Sequence, residues 1–179
     1  QVQERTAALA DSERRFRTFF EMASVGVAQF EGTSQRFIKV NDKFSQLMGY
    51  APAELRERTP RDLVHPDDWP LSRDAMQSLA SRTRKEITLE KRYVRKDGGV
   101  FWGLATISPL WGEGRTPEFY LAVVRDISAR KAAEAALLEA KQAAEAANLA
   151  VNQTLVSDFG LRLMSLAPRN WRSKPAVSD

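Results

Sequence analysis

The chain has 179 residues, 43% of them hydrophobic and 28% charged, a balance that fits one globular domain with flanking elements. It contains no cysteine, which excludes disulfides, thiolate metal sites, a cysteine nucleophile and any chromophore chemistry through sulfur. No apolar run approaches the roughly 18–20 residues that span a bilayer, and the net charge of +4 arises from Lys and Arg interleaved with Asp and Glu, which argues against a nucleic-acid-binding stripe.

In chain order, residues 1–22 predict an amphipathic helix, because Val2, Leu9 and Phe16 recur every seven positions and Phe19 and Phe20 close the stripe. Two short strands, 25–31 and 36–41, flank a "GTSQ" connection and predict a hairpin. The period then changes: "DKFSQLMGY" puts Phe44, Leu47 and Met48 on one helical face and ends at Gly49, a residue suited to terminating a helix. The proline-rich stretch around "TPRDLVHPDDW" predicts one-turn helices, and a longer helix over about 68–82 turns Met76 and Leu79 inward. Three strands follow, "EITLEKRYVRKDG", "GVFWGLATISPLWG" and "TPEFYLAVVRDIS", rich in β-branched and aromatic residues and separated by the turns "KDGG" and "GEGRTP". The order predicts an α+β domain built on a five-stranded antiparallel sheet with short helices clustered on one face.

The final strand runs without Gly or Pro into an alanine-rich helix. Ala133, Leu137, Ala140, Ala144, Ala147 and Val151 follow 4-3-4-3-4 spacing, the a/d seam of a coiled coil. Lys141 and Glu145 add an i,i+4 pair worth about 0.2–0.5 kcal/mol. With four alanines among these six positions the seam buries little area, so an isolated coiled coil is marginal. Ser128 suits an N-cap, yet Arg130 and Lys131 then occupy a first turn where the helix dipole disfavours cations. Asp126 is expected to compensate by pairing with Arg130 or by binding the free N–H groups of the helix.

Four motifs in order, Asn41 before "DKFSQLMGY", then "HPDDW", "RKDGGVFW" and the closing "VVRDISARK", resemble the PAS sensor domain over about residues 16–131. The resemblance implies a PAS fold flanked by coiled-coil-like N- and C-terminal helices: a helix over 1–22, the domain core over 23–128 and a signalling helix over 129–166, while the remaining residues, 167–179, read from their own composition as a disordered tail. It also implies a small cavity between the sheet and the helical cluster. Strand alternation together with the family pattern places Ala28, Phe30, Ile38, Val40, Gly103, Ala105, Ile107, Tyr120, Ala122 and Val124 on that inner face, opposite Phe44, Leu47, Leu63, Met76 and Leu79. Gly103 and Ala105 are small and leave room for an apolar or aromatic ligand, unless the bulky side chains opposite fill it. The closing motif marks Asp126, Ser128 and Arg130 as a relay to the helix. Trp102 and Leu104 fall on the outer face, where Val2, Leu9, Phe16 and Phe20, from this chain or from a second copy, provide cover and a homodimer contact.

No cofactor is expected. The "FWGLATISPL" strand resembles that of the blue-light LOV branch, but Pro60 stands where that branch has its cysteine, and Tyr93, Gly103 and Val124 cannot supply the amides that hold a flavin edge. Haem in related domains often takes a His from the long helix; the single histidine, His65, lies before Pro66 in a turn instead. The "DFG" at residues 158–160 has none of the kinase loops that would give it meaning. With no catalytic constellation and no metal site, the chain reads as a non-catalytic sensory and dimerisation module from a cytoplasmic bacterial signalling protein. The expected output partner is a histidine kinase; the alternatives are a ligand-free structural relay and a module of a diguanylate cyclase.

Overall fold

The computed structural model describes residues 2–166, with side-chain surroundings described for 11–159. The expected tail at 167–179 lies outside the described residues, as do the side chains of Val2 and Leu9. The chain divides into two units after Lys131.

The first unit begins with helix α1 (Val2–Met22), followed by strands β1 (Gly26–Glu31) and β2 (Phe37–Val40). Helices α2 (Asp42–Met48), α3 (Pro52–Leu55) and α4 (Pro60–Leu63), a 3-10 turn (Pro66–Asp68) and helix α5 (Trp69–Ala80) form the cluster. Strands β3 (Ile87–Val94), β4 (Val100–Trp111) and β5 (Pro117–Asp126) complete a sheet ordered β2-β1-β5-β4-β3, in which each neighbouring pair is antiparallel. The first turn of helix α6 (Ser128–Leu166) belongs with this unit.

Local chemistry sets the boundaries. Asn41 caps α2 by accepting from Phe44 N, and Gly49 ends that helix in the left-handed region at φ 76°. Thr59 and Asp62 form a capping box around α4, with Pro60 at the first helical position. Gly98, at φ 83°, turns the β3–β4 hairpin, where Arg95 N donates to Gly99 O at 2.7 Å. In the β1–β2 connection the left-handed residue is Gln35, and Gly32 is required for another reason: a Cβ there would lie 1.7 Å from Pro117 O.

Ile38 departs from the expectation. The β1–β2 ladder runs Ala28↔Val40 and Gln29↔Lys39, then jumps to Phe30↔Phe37, so β2 carries one extra residue. The bulge turns Phe37 and Val40 toward the core and leaves Ile38 41% exposed. Helix α1 also differs from the expected cover. Its last turn is tied to the β1–β2 edge, because Asn41 Nδ2 donates to Phe20 O. Phe20 is buried there while Phe16 remains 54% exposed, and Lys39 Nζ stands 5.0 Å from both rings. Trp102 and Leu104 lie half-buried on β4; the charged groups near the Trp102 ring are Arg92 and Lys131, not residues of α1.

In the second unit, α6 continues as a helix with exposed side chains through residue 159. The seam residues Ala133, Leu137, Ala140, Ala144, Ala147 and Val151 are all exposed, and Lys141 lies 3.9 Å from Glu145. The "DFG" sequence falls within this helix, with Phe159 facing solvent.

Candidate functional site

The inner face of the sheet is built from alternate residues of all five strands, β3 contributing Ile87, Lys91 and Tyr93. Ala28, Phe30, Phe37, Phe101, Ala105, Ile107, Tyr120, Ala122 and Val124 are buried there, together with Phe44, Leu47, Leu63, Met76 and Leu79 from the helices; Val40 packs against them half-buried. Aromatic rings fill one end: Phe30 stacks on Tyr120 at 5.2 Å, meets Phe37 edge-on at 5.8 Å, and Phe37 packs on Phe44 at 5.5 Å. At the other end Tyr93 stacks on Phe101 at 5.3 Å and leans across Gly103. A Cβ on Gly103 would meet Tyr93 Cε2 at 2.6 Å and Val124 Cγ1 at 3.3 Å. The space left by the missing side chain is therefore taken by the tyrosine.

The polar groups of this face were not anticipated from the sequence. Lys91 points inward between Leu89 and Tyr93 and is 3% exposed. Burial pushes its ammonium down to about 8, against a weaker opposing pull from Asp68. Burial likewise raises the Tyr93 hydroxyl well above the ordinary tyrosine range. The signal for Lys91 was present as period-2 alternation through Ile87, Leu89, Lys91 and Tyr93. The charged string "EKR" around it reads as a solvated surface, which hid it. His65 is committed to its turn, its Nδ1 accepting from Asp67 N at 3.4 Å. Among the described residues no group of three or more His, Asp or Glu could hold a metal ion.

Asp68 makes no side-chain cap; it reaches β3 instead, accepting from Arg92 N at 2.7 Å and from Arg92 Nη2 at 2.6 Å. Those hydrogen bonds from Arg92 hold its carboxyl below the usual carboxylate range.

At the junction of β5 with α6, Asp126 takes the second of its two expected roles, receiving a free N–H at the helix start rather than Arg130. Ser128 does not cap its own helix: its Oγ accepts from Trp102 N at 3.0 Å, and Ile127 N donates to Trp102 O at 2.8 Å. The β4–β5 ladder thus continues into the first residues of the helix. Asp126 Oδ1 accepts from Ser128 N at 2.8 Å, and its other oxygen lies 3.3 Å from Arg95 Nη2. Arg130 pairs not with Asp126 but with Glu90 of β3, which Lys131 also engages. Hydrogen bonds from Lys131 and then Arg130 lower the Glu90 carboxyl. The cations that oppose the helix dipole are held by a carboxylate two strands away in sequence, a pairing that no local spacing announces.

A family model described as PAS fold matches residues 37–124. The chain is 30% identical over 126 residues, 70% of its length, to "Probable diguanylate cyclase DgcE" of Escherichia coli strain K12, and 24% identical over 141 residues, 79% of its length, to "Sensor histidine kinase TmoS" of Ectopseudomonas mendocina. Among solved structures, an RNA-binding light-oxygen-voltage receptor is 27% identical with a TM-score of 0.62, the match covering 76% of this chain and 38% of that one. The chain spans 11% and 14% of the length of the two curated relatives. Among the described residues no helix is long and apolar enough to cross a membrane.

Proposed function

Because this chain carries a PAS sensor domain, we propose that the domain is a sensory and dimerisation module whose state passes through the first turn of α6 to an output module, a histidine kinase in the parent protein. The observation that carries this reading is the bonding of Ile127 and Ser128 to both backbone polar groups of Trp102, which joins the sheet to the helix start without a loop. The exposed seam of α6 supports a homodimer in which a second helix covers Leu137 and Val151. A marginal alanine-rich seam suits a relay, because small free-energy differences can shift its alignment. The kinase relative supports one output and the cyclase relative the other; the parent's cytoplasmic location is part of the same reading.

The test uses the full-length parent. Ser128→Ala removes the hydroxyl that holds Trp102 N without adding bulk. Folding should persist by circular dichroism, while output, assayed as autophosphorylation and as cyclic-dinucleotide synthesis, should change by about tenfold. Unchanged output of both kinds would refute the relay, and synthesis without autophosphorylation would replace the kinase by the cyclase. Light scattering on the purified chain tests the dimer; a monomer at micromolar concentration refutes it.

One observation favours a second reading, a structural module with a filled core: Tyr93 occupies the room over Gly103. Binding of small molecules to the inner face separates the two readings.

A further inference from the structure

Helix α5 closes on a turn in which Arg82 N donates to Leu79 O at 3.0 Å and Thr83 N reaches back to Ser78 O at 3.0 Å. This pair of bonds ends a helix on a left-handed residue, a position that favours glycine. The residue there is Arg82, at φ 58°. Its guanidinium lies 4.1 Å from the centre of the Trp111 ring at the end of β4. For the turn alone glycine is the better residue; what the strained position delivers is a guanidinium over an indole.

Arg82, Arg84, Lys85, Pro109 and Trp111 line a groove of about 520 Å³, within the roughly 300–1,000 Å³ of small-molecule sites. None of the five belongs to the buried core, so the groove is separate from it. Trp111 is half-buried, and the three cations are exposed. Pro109 lies beyond the last residue of β4 that β3 pairs, and it has no N–H to offer another strand. Among the described residues none of the three cations has a carboxylate partner. Glu86 accepts from Ser108 Oγ at 3.1 Å, and the Glu118 carboxylate lies beside Gly112. A helix C-terminus accounts for one nearby cation, but not for three around one indole.

A guanidinium held over a ring keeps its N–H edge free for a two-pronged contact with an oxyanion. Three cations exceed what one carboxylate can satisfy. A phosphomonoester brings about two negative charges and three acceptor oxygens at neutral pH. We propose that this groove binds a small organic phosphate, its phosphomonoester held by Arg82, Arg84 and Lys85 and its carbon body resting on Pro109 and Trp111. The site goes beyond the sensory reading and stands whether or not the inner face takes a ligand.

The experiment is calorimetric titration of the wild-type chain at low salt and pH 7 with phenyl phosphate, AMP, inorganic phosphate, phenol and adenosine, while NMR follows the indole N–H of Trp111. Phenyl phosphate and AMP should bind and shift that resonance, phenol and adenosine should not, and inorganic phosphate should bind more weakly than its esters. Arg82→Gly supplies the residue the turn favours, so its thermal melt should match or exceed that of the wild type. Its affinity for AMP should nevertheless fall at least about tenfold, as should that of Arg84→Gln combined with Lys85→Gln. No binding to the wild type, equal binding of phosphates and their parent compounds, or unchanged affinity in both variants would each overturn the proposal. Inorganic phosphate binding as tightly as its esters would overturn the proposed ligand class. A single-stranded RNA of about ten nucleotides that binds while the small phosphates do not would overturn it in favour of a nucleic-acid surface.

Discussion

The Tyr93 ring stands on Gly103: a Cβ on that glycine would lie 2.6 Å from Cε2 and 2.8 Å from Cδ2 of the tyrosine. Both atoms belong to a ring that is itself stacked on Phe101, so the ring must shift if the methyl is to fit. Gly103→Ala should therefore cost about 1–3 kcal/mol, the usual penalty of overpacking a filled core. Chemical denaturation of this variant and of Gly103→Ala combined with Tyr93→Leu checks it. The second change should recover part of the loss, and equal stability of wild type and single variant would show that the ring is free to leave.

Lys91 gives a pH signature of unusual sign. Its value falls from 10.5 in a model peptide to about 8 in the fold, so between these limits the unfolded chain holds more protons than the folded one. Stability then rises with pH across that window, by on the order of 3 kcal/mol if fully expressed. Tyr93 acts oppositely above its ordinary range, since its raised value makes the unfolded chain lose the proton first. Urea titrations from pH 7 to about 9.5 should show stability climbing in the wild type and a flat profile in Lys91→Met, which at pH 7 should be the more stable protein.

Asn41 uses all four of its hydrogen-bonding positions. Its Oδ1 accepts from Val27 N at 2.8 Å and Phe44 N at 2.9 Å, while Nδ2 donates to Phe20 O at 2.9 Å and Val25 O at 3.0 Å. Asn41→Ala leaves these backbone groups unmatched in a fully buried site and should cost about 3 kcal/mol. Asn41→Asp should do no better at pH 7, since it replaces two donors with a charge facing two carbonyls. Equilibrium unfolding measures both; a loss below about 1 kcal/mol in each would remove the hub role.

Asp68 ties the start of α5 to β3. Its folded value lies below the ordinary one of 3.8, so its contribution is present above that unfolded value and is lost as pH falls through the lower folded value. Asp68→Asn should destabilise by about 2 kcal/mol at pH 7, a typical figure for hydrogen bonds to a charged group, and the difference from wild type should shrink in strong acid. Acid titration of both proteins by fluorescence follows it, and a difference independent of pH would assign the effect to packing.

The fold was readable because period-2 alternation in β4 and β5 and turn chemistry at Gly98 and Gly49 are local signals. Ile38 was misplaced because a bulge changes the register within a strand of four residues, and nothing in "RFIKV" marks which residue is extra. Ser128 has the chemistry of an N-cap, but its hydroxyl accepts from Trp102 N of the neighbouring strand, a partner that only the β4–β5 pairing brings near. The Glu90 pairing with Arg130 depends on β3 lying next to β4, a relation that follows from topology rather than spacing. Inward alternation in β3 was legible, but Lys91 was passed over because lysine ordinarily belongs outside.

The carbonyl of Trp102, which receives the N–H of Ile127, belongs to the same planar amide as the nitrogen of Gly103. That plane has no internal torsion to absorb a disturbance. Any tilt imposed at Gly103 when the tyrosine above it moves must swing the carbonyl oxygen that Ile127 follows, or break the bond. The floor of the core and the root of the helix are two edges of one rigid tile, and the lever arm between them is a single peptide unit long.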